Sequence, residues 1–177
     1  MHHHSLILIL DNIRSAYNVG AMFRTADGAG VEQMYLVGLT PKPSQKELYL
    51  SDAEKTLRKT ALGAEKTVLW KQVKNLRPLL KRLKKDGYEL VALEQTEGGI
   101  DYRRWKPKSN KVALIVGNEV EGVLEKTMVW CDQVIELPMR GKKNSLNVSV
   151  AAGIALYHLS ATMERLRKVS GLLREAN

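Results

Sequence analysis

The sequence predicts an α/β domain built on a largely parallel, buried sheet. Short apolar, β-rich runs recur along the chain, helical patterns separate them, and 177 residues suffice for one compact domain with a full core. Residues 1–5, Met-His-His-His-Ser, read as the remnant of an expression tag and residues 6–177 as a single domain. The first strand is expected at residues 6–10, Leu-Ile-Leu-Ile-Leu, apolar throughout as a strand covered on both faces must be. A helix follows from about Asn18, whose side chain suits an N-cap, and a second strand occupies residues 33–37. Further strands are expected at 67–70, 88–93, 112–116 and 133–137, and helices at 51–62, 72–86, 122–130 and 146–168. Within 72–86, Leu76, Leu79, Leu80 and Leu83 recur at i, i+3, i+4 and i+7, while Lys74, Arg77, Lys81, Arg82, Lys84 and Lys85 fill the other faces. Residues 40–50 and 95–110, with Pro41, Pro43, Gly98, Gly99 and Pro107, read as loops.

Composition narrows the function. Hydrophobic residues at 44% and charged residues at 27% match a globular mix, and no apolar run approaches the roughly 20 residues that span a bilayer. A soluble protein with no membrane-spanning segment is expected, with RNA, DNA or an anionic membrane surface still open as partners of its charge. Cys131 is the single cysteine, so no intramolecular disulfide can form, and a reducing cytoplasmic home is expected. Twenty-eight basic against nineteen acidic residues give a net charge of +9, which calls for a polyanionic partner. The excess concentrates in residues 51–110, where fifteen basic side chains face eight acidic ones. With the tag histidines set aside only His158 remains, so zinc hydrolysis and Ser-His-Asp catalysis lose their main ingredient, and no metal is expected. The nearest approach to a dinucleotide fingerprint, Gly28-Ala-Gly30, lacks a third glycine and precedes a strand, and no P-loop occurs.

Three segments at strand ends carry the chemistry. The first, residues 10–27, runs from a strand through a polar loop holding Arg14 into a helix with Asn18, Gly20 and Arg24. Arg24 can meet a phosphate or ribose with its planar donor fork, or pair with Asp27 on the surface. The second, Gly117-Asn-Glu119-Val-Glu-Gly122, makes a tight turn after an apolar strand, where backbone can approach a ligand; Glu119 can alternatively favour a helix N-terminus. In the third, a strand halts at Leu137-Pro138-Met139, crosses a loop with Arg140, Lys142 and Lys143, and enters a helix through Asn144, Ser145, Leu146 and Asn147. The helix N-terminus there suits an anion or polar ligand, although Ser145 and Asn147 can also act only as caps.

These ordered motifs resemble the SpoU (TrmH-like) family of RNA ribose 2′-O-methyltransferases, of the SPOUT class, over residues 6 to about 160. The resemblance rests on Asn18-x-Gly20-x-x-x-Arg24, Gly117-x-Glu119-x-x-Gly122, and Leu137-Pro138-Met139 followed by Ser145-Leu146-Asn147-Val148-Ser149. It implies a SPOUT-type fold with a deep C-terminal trefoil knot, a homodimer, and S-adenosylmethionine as methyl donor without a metal. It implies further that the cofactor lies near Leu93, Gly117, Leu137, Met139 and Leu146. Arg24 takes the family's catalytic place, with Asn18, Glu119, Ser145 and Asn147 completing the polar site, and Glu119 is expected close enough to Arg24 to favour its charged form. Because guanidinium groups stay protonated in proteins, Arg24 is expected to orient phosphate or ribose while a phosphate oxygen or water takes the proton. Some members carry a separate N-terminal RNA-binding domain; here RNA recognition is expected from the catalytic domain, through Arg14, Arg140, Lys142 and Lys143, residues 40–50, the basic helix and residues 103–108. The substrate is transfer or ribosomal RNA, with a compact transfer RNA favoured by the bare domain. The competing readings are a non-catalytic RNA-binding protein that keeps the cofactor pocket, and an α/β enzyme acting on a small anionic metabolite.

Overall fold

The computed structural model describes residues 4–44 and 48–175; part of the expected tag remnant, residues 45–47 of the first loop and residues 176–177 fall outside them. Strand β1 (Ser5–Asp11) is buried at every position and leads through Ser15 into helix α1 (Ala16–Gly28). The expected cap at Asn18 moves to Ser15, whose hydroxyl accepts the Asn18 amide at 3.3 Å; Asn18 stands three residues inside. Strand β2 (Gln33–Val37) is where the sequence places it. Helix α2 (Asp52–Ala61) starts at a capping box between Ser51 and Glu54. Of residues 67–70, expected as a strand, Thr67 instead ends the short helix α3 (Ala64–Thr67), and the strand begins only at Trp70 as β3 (Trp70–Val73). Gly63 at φ +94° starts that turn, Thr67 Oγ1 donates to Asp27 and Ala64, and the chain extends only from Val68.

Helix α4 (Leu76–Lys85) buries Leu79, Leu80 and Leu83 as its periodicity requires, but starts four residues later than expected because Trp70–Val73 is spent pairing with β2. Strand β4 (Glu89–Leu93) follows, then a two-residue strand β5 (Ile100–Asp101) inside the segment expected to be loop. After β6 (Lys111–Val116), the helix expected at 122–130 shrinks to α5 (Glu125–Met128), since Gly122 sits at φ +64° and Leu124 is extended. Strand β7 (Gln133–Glu136) and the long helix α6 (Val148–Glu175) complete the chain.

All strand pairs are parallel, in the order β3-β2-β1-β6-β4-β7-β5. Alternate side chains supply two cores. Leu6, Leu8 and Leu10 of β1 face α1, α2 and α6, while Ile7 and Ile9 face Leu79, Leu80 and Leu83 of α4. This explains why the strands read as unbroken apolar runs. Helices α1 and α2 cross closely at Gly20, where a Cβ would lie 1.9 Å from Thr60 Oγ1 and 2.4 Å from the Leu57 carbonyl oxygen. His158 packs edge-on to Tyr102 at 5.1 Å, and burial pushes its pKa below the ordinary 6.5, consistent with a structural part. Burial pushes the Cys131 thiol up to about 12, which leaves it no nucleophilic thiolate at neutral pH.

Because every strand runs the same way, all carboxyl ends share one edge. Strands β1, β2 and β3 step outward on one side and the later strands fill the other. Crevices outside the carboxyl ends beside such a reversal are the usual ligand sites of open α/β sheets.

Candidate active site

The three motifs converge on this edge. Glu119 reaches back to the loop after β1: its carboxylate accepts the amides of Arg14 at 3.0 Å and Ser15 at 3.1 Å, and Asn18 Nδ2 at 2.8 Å. Asn18, almost fully buried, accepts in turn from Asn147 Nδ2 at 3.2 Å. Asn147 Oδ1 accepts the Ser149 amide at 2.9 Å and so caps α6. A continuous chain of hydrogen bonds therefore ties residues separated by 101 and 129 positions in sequence.

Burial pushes the Glu119 carboxyl up, but the Arg14 amide, the Asn18 side chain and the amides of Glu119 and Ser15 pull it down, and the donors prevail. Its pKa lies below the ordinary 4.5, so its stabilising contribution is complete above that value and is lost as pH falls through the lowered folded value. Glu119→Gln replaces an acceptor oxygen by a donor and should lower the melting temperature at neutral pH. The gap to the original protein should close on acidification below pH 4.5, as melting curves across that range would reveal.

Beside this chain lies a cavity of about 560 Å³ at the ends of β4, β6 and β7. Leu93, Gly117, Leu137, Met139 and Leu146 all line it, as do Glu119, Ser145 and Asn147. Its upper wall is the 117–122 turn, held tight because Asn118 Oδ1 accepts the amides of Val120 at 2.9 Å and Glu121 at 2.8 Å. Gly117 has no room for a side chain: a Cβ would fall 1.9 Å from the Gly122 carbonyl carbon and oxygen. Glu94, which sequence reasoning passed over, braces the turn by accepting the Val123 amide at 2.6 Å and the Gln95 amide at 2.9 Å. Its signal was present as a carboxylate directly after the apolar strand that ends at Leu93. Among the described residues lining the cavity, Glu94, Glu119 and Glu121 are acidic and none is Lys or Arg, in a chain of net charge +9.

The cationic candidates stand outside. Arg24 is exposed on α1, does not line the cavity, and has no hydrogen bond or ion pair among the described residues. Its alternative partner Asp27 is instead held by Thr67 Oγ1 at 2.9 Å. Among the described residues Glu119 forms no hydrogen bond or ion pair with Arg24; the hydrogen bonds to its carboxylate come from Arg14, Ser15 and Asn18. Arg14, Arg140, Lys142 and Lys143 are exposed, the last three on the loop beside Met139. Among the described residues no three His, Cys, Asp or Glu side chains gather to hold a metal ion, and no helix is long and apolar enough to cross a membrane.

The model of the SpoU rRNA Methylase family matches residues 5–157. The chain belongs to this family. It is 35% identical over 158 residues to the 23S rRNA (guanosine-2'-O-)-methyltransferase RlmB of Salmonella typhi, a match covering 89% of this chain and 60% of that SpoU relative. It thus spans about three fifths of the length of the curated relative. The crystal structure of the A. aeolicus TrmH/SpoU tRNA modifying enzyme superposes with a TM-score of 0.77 at 28% identity, covering 95% of this chain and 80% of that one. The SpoU methyltransferase AviRb from Streptomyces viridochromogenes, in complex with the cofactor AdoMet, shares the fold at a TM-score of 0.77 and 20% identity, covering 94% and 60%.

Proposed function

We propose that this SpoU-family chain transfers a methyl group from S-adenosylmethionine to a ribose 2′-hydroxyl of RNA in the cytoplasm. The observation that carries the reading is the separation of charge: an acidic, apolar-sided cavity at the strand ends of a strongly basic molecule. A cationic cofactor suits the inside and a polyanionic substrate the outside. The cavity also falls within the roughly 300–1,000 Å³ usual for small-molecule sites. Leu93, Leu137, Met139 and Leu146 would wall the adenine, and the Gly117 turn lets backbone approach it closely. When bound, the cofactor supplies an electrophilic methyl carbon on its sulfonium. The chain's own residues then have a positioning task. Glu119, Asn18 and Asn147 fix the turn, the α1 entrance and the α6 N-terminus relative to one another. Charged Arg24 orients the phosphate or ribose, and a phosphate oxygen or water takes the hydroxyl proton. Arg14, Arg140, Lys142 and Lys143 hold the RNA backbone.

The reading includes the trefoil knot of the C-terminal segment and a homodimer. The convergence of the loops after β4, β6 and β7 on one cavity supports the first. An exposed apolar band on α6, Val150, Ile154 and Tyr157, supports the second; it continues to Leu146 at the cavity, where a second copy would close the edge. As substrate we propose ribosomal rather than the transfer RNA that compactness favoured, because a relative at 35% identity is named for 23S rRNA. Labelled methyl transfer to unmodified ribosomal and transfer RNA in parallel, followed by mapping of 2′-O-methyl positions, tests this. Label in ribosomal RNA is expected; label only in transfer RNA would reverse the substrate. No label in either despite cofactor binding would favour the non-catalytic RNA-binding protein.

A further inference from the structure

A second cavity of about 770 Å³ opens on the same edge of the sheet, outside the ends of β1, β2 and β3. The 117–126 segment divides the two: Gly117 to Gly122 line the first cavity, and Leu124, Lys126 and Thr127 line the second. Their charges are opposite. The second cavity is rimmed by Lys74, Arg77 and Lys126, all exposed and none within ion-pair distance of a carboxylate among the described residues. Arg77 is held over the Trp130 ring at 5.1 Å, with Lys81 at 5.7 Å, so its guanidinium is placed beforehand. The N-terminus of α4 also opens here. Asn75 makes no side-chain capping bond and the first turn carries no acidic residue, which leaves a partial positive charge beside the cations.

At the floor stands Asp11, only 7% exposed yet lining the cavity. Among the described residues its carboxylate has one hydrogen-bonding partner, Asn12, whose Nδ2 donates to Oδ1 at 2.8 Å. Asn12 is itself fixed at φ +55° with its Oδ1 accepting the Leu39 amide at 3.2 Å. Asp11 Oδ2 is therefore an acceptor without a donor among the described residues, at the bottom of a pocket whose rim attracts phosphate. A cationic rim over a carboxylate floor fits a ligand that is anionic at one end and rich in N–H donors at the other, which is the chemistry of a nucleotide.

We propose that this cavity is a second RNA subsite, taking a nucleotide that flanks the methylated one, with its phosphate among Lys74, Arg77 and Lys126 and its base donors toward Asp11. The proposal rests on the RNA methyltransferase reading above. The shared wall places the two cavities side by side, so one strand laid along the edge can occupy both.

The test uses the full chain and fluorescently labelled, unmodified 23S rRNA transcript, with affinity measured between about 50 and 200 mM salt. The double variant Arg77→Ala, Lys126→Ala should lose roughly tenfold or more in affinity and about 1.5 in the slope of log affinity against log salt. Lys59→Ala with Lys66→Ala, on α2 and α3 across the sheet, removes equal charge and should change much less. Asp11→Asn separates a site from diffuse attraction. Removing a negative charge from a merely basic patch would tighten RNA binding, whereas loss of a base acceptor should weaken it several-fold with the salt slope unchanged. Unaltered S-adenosylmethionine binding and melting serve as folding controls; should Asp11→Asn unfold, the two charge pairs decide alone. Equal losses for both charge pairs, or tighter binding by a folded Asp11→Asn, would overturn the subsite while leaving the methyltransferase reading intact. Failure of the unaltered protein to bind or methylate any RNA would remove that reading and the subsite with it.

Discussion

Replacing Gly117 by alanine should abolish cofactor binding and lower the melting temperature by roughly 6–12 °C, the equivalent of about 3 kcal/mol for a chain of this length. The added Cβ would sit 1.9 Å from the carbonyl carbon and oxygen of Gly122 and 2.3 Å from the Val123 nitrogen. These are backbone atoms, so no rotamer change can relieve the contact. Gly122 cannot retreat freely, because its neighbour Val123 is bonded to Glu94 at 2.6 Å and its own amide to the Asn118 carbonyl at 3.0 Å. The turn must open, and it forms the cavity wall. Gly141→Ala is the matched control: a Cβ there meets nothing within 4 Å, and melting should move by no more than about 0.5 kcal/mol. Thermal melting with titration calorimetry against S-adenosylmethionine distinguishes the two. An alanine at 117 that melts and binds normally would mean that the turn has slack and that the glycine is not needed for close approach.

The sheet was legible in the sequence because its strands are buried on both faces, so residues 6–10 and 112–116 are apolar without alternation. Helix α4 was legible for the opposite reason, since one leucine stripe faces the core and the rest is charged. Short elements escaped. Ile100–Asp101 of β5 is too brief and polar to stand out from its loop, and the α3 turn depends on a side-chain bond from Thr67 to Asp27, forty residues away. The cap moved to Ser15 because a hydroxyl three residues ahead of Asn18 could reach its amide, which freed the Asn18 side chain to join Glu119 and Asn147. That chain of contacts could not be read from spacing. The motifs implied common use, but not who touches whom: Glu119 serves Asn18 and the α1 entrance rather than Arg24. Glu94 was missed because a single carboxylate after a strand has no pattern around it. The opposite charges of the two cavities were hidden inside the global +9, since charge counted along a chain says nothing of which side chains share a pocket.

Arg24→Ala should reduce methyl transfer by about 10³-fold, the scale of removing one pre-organised electrostatic contact to a reacting centre, and leave nearly everything else intact. The geometry sets this expectation. Arg24 is exposed, lies outside the cavity proposed for the cofactor and forms no hydrogen bond or ion pair among the described residues, so truncating it removes no contact seen there. The melting temperature should hold within the range of a surface substitution, about 0.5 kcal/mol, and cofactor affinity within about twofold. A simultaneous fall in cofactor binding would instead make Arg24 part of the cofactor site, contrary to its placement. Arg24→Lys then separates two roles. If the guanidinium orients phosphate or ribose through its planar fork, lysine keeps the charge but loses the paired donors, and should recover only a small part of the lost rate with the pH–rate profile unmoved. If the side chain instead accepts the hydroxyl proton, lysine's lower pKa should preserve activity and carry the profile to lower pH. Single-turnover rates of both variants across pH, with RNA and cofactor saturating, read the chemical step directly and decide between the two.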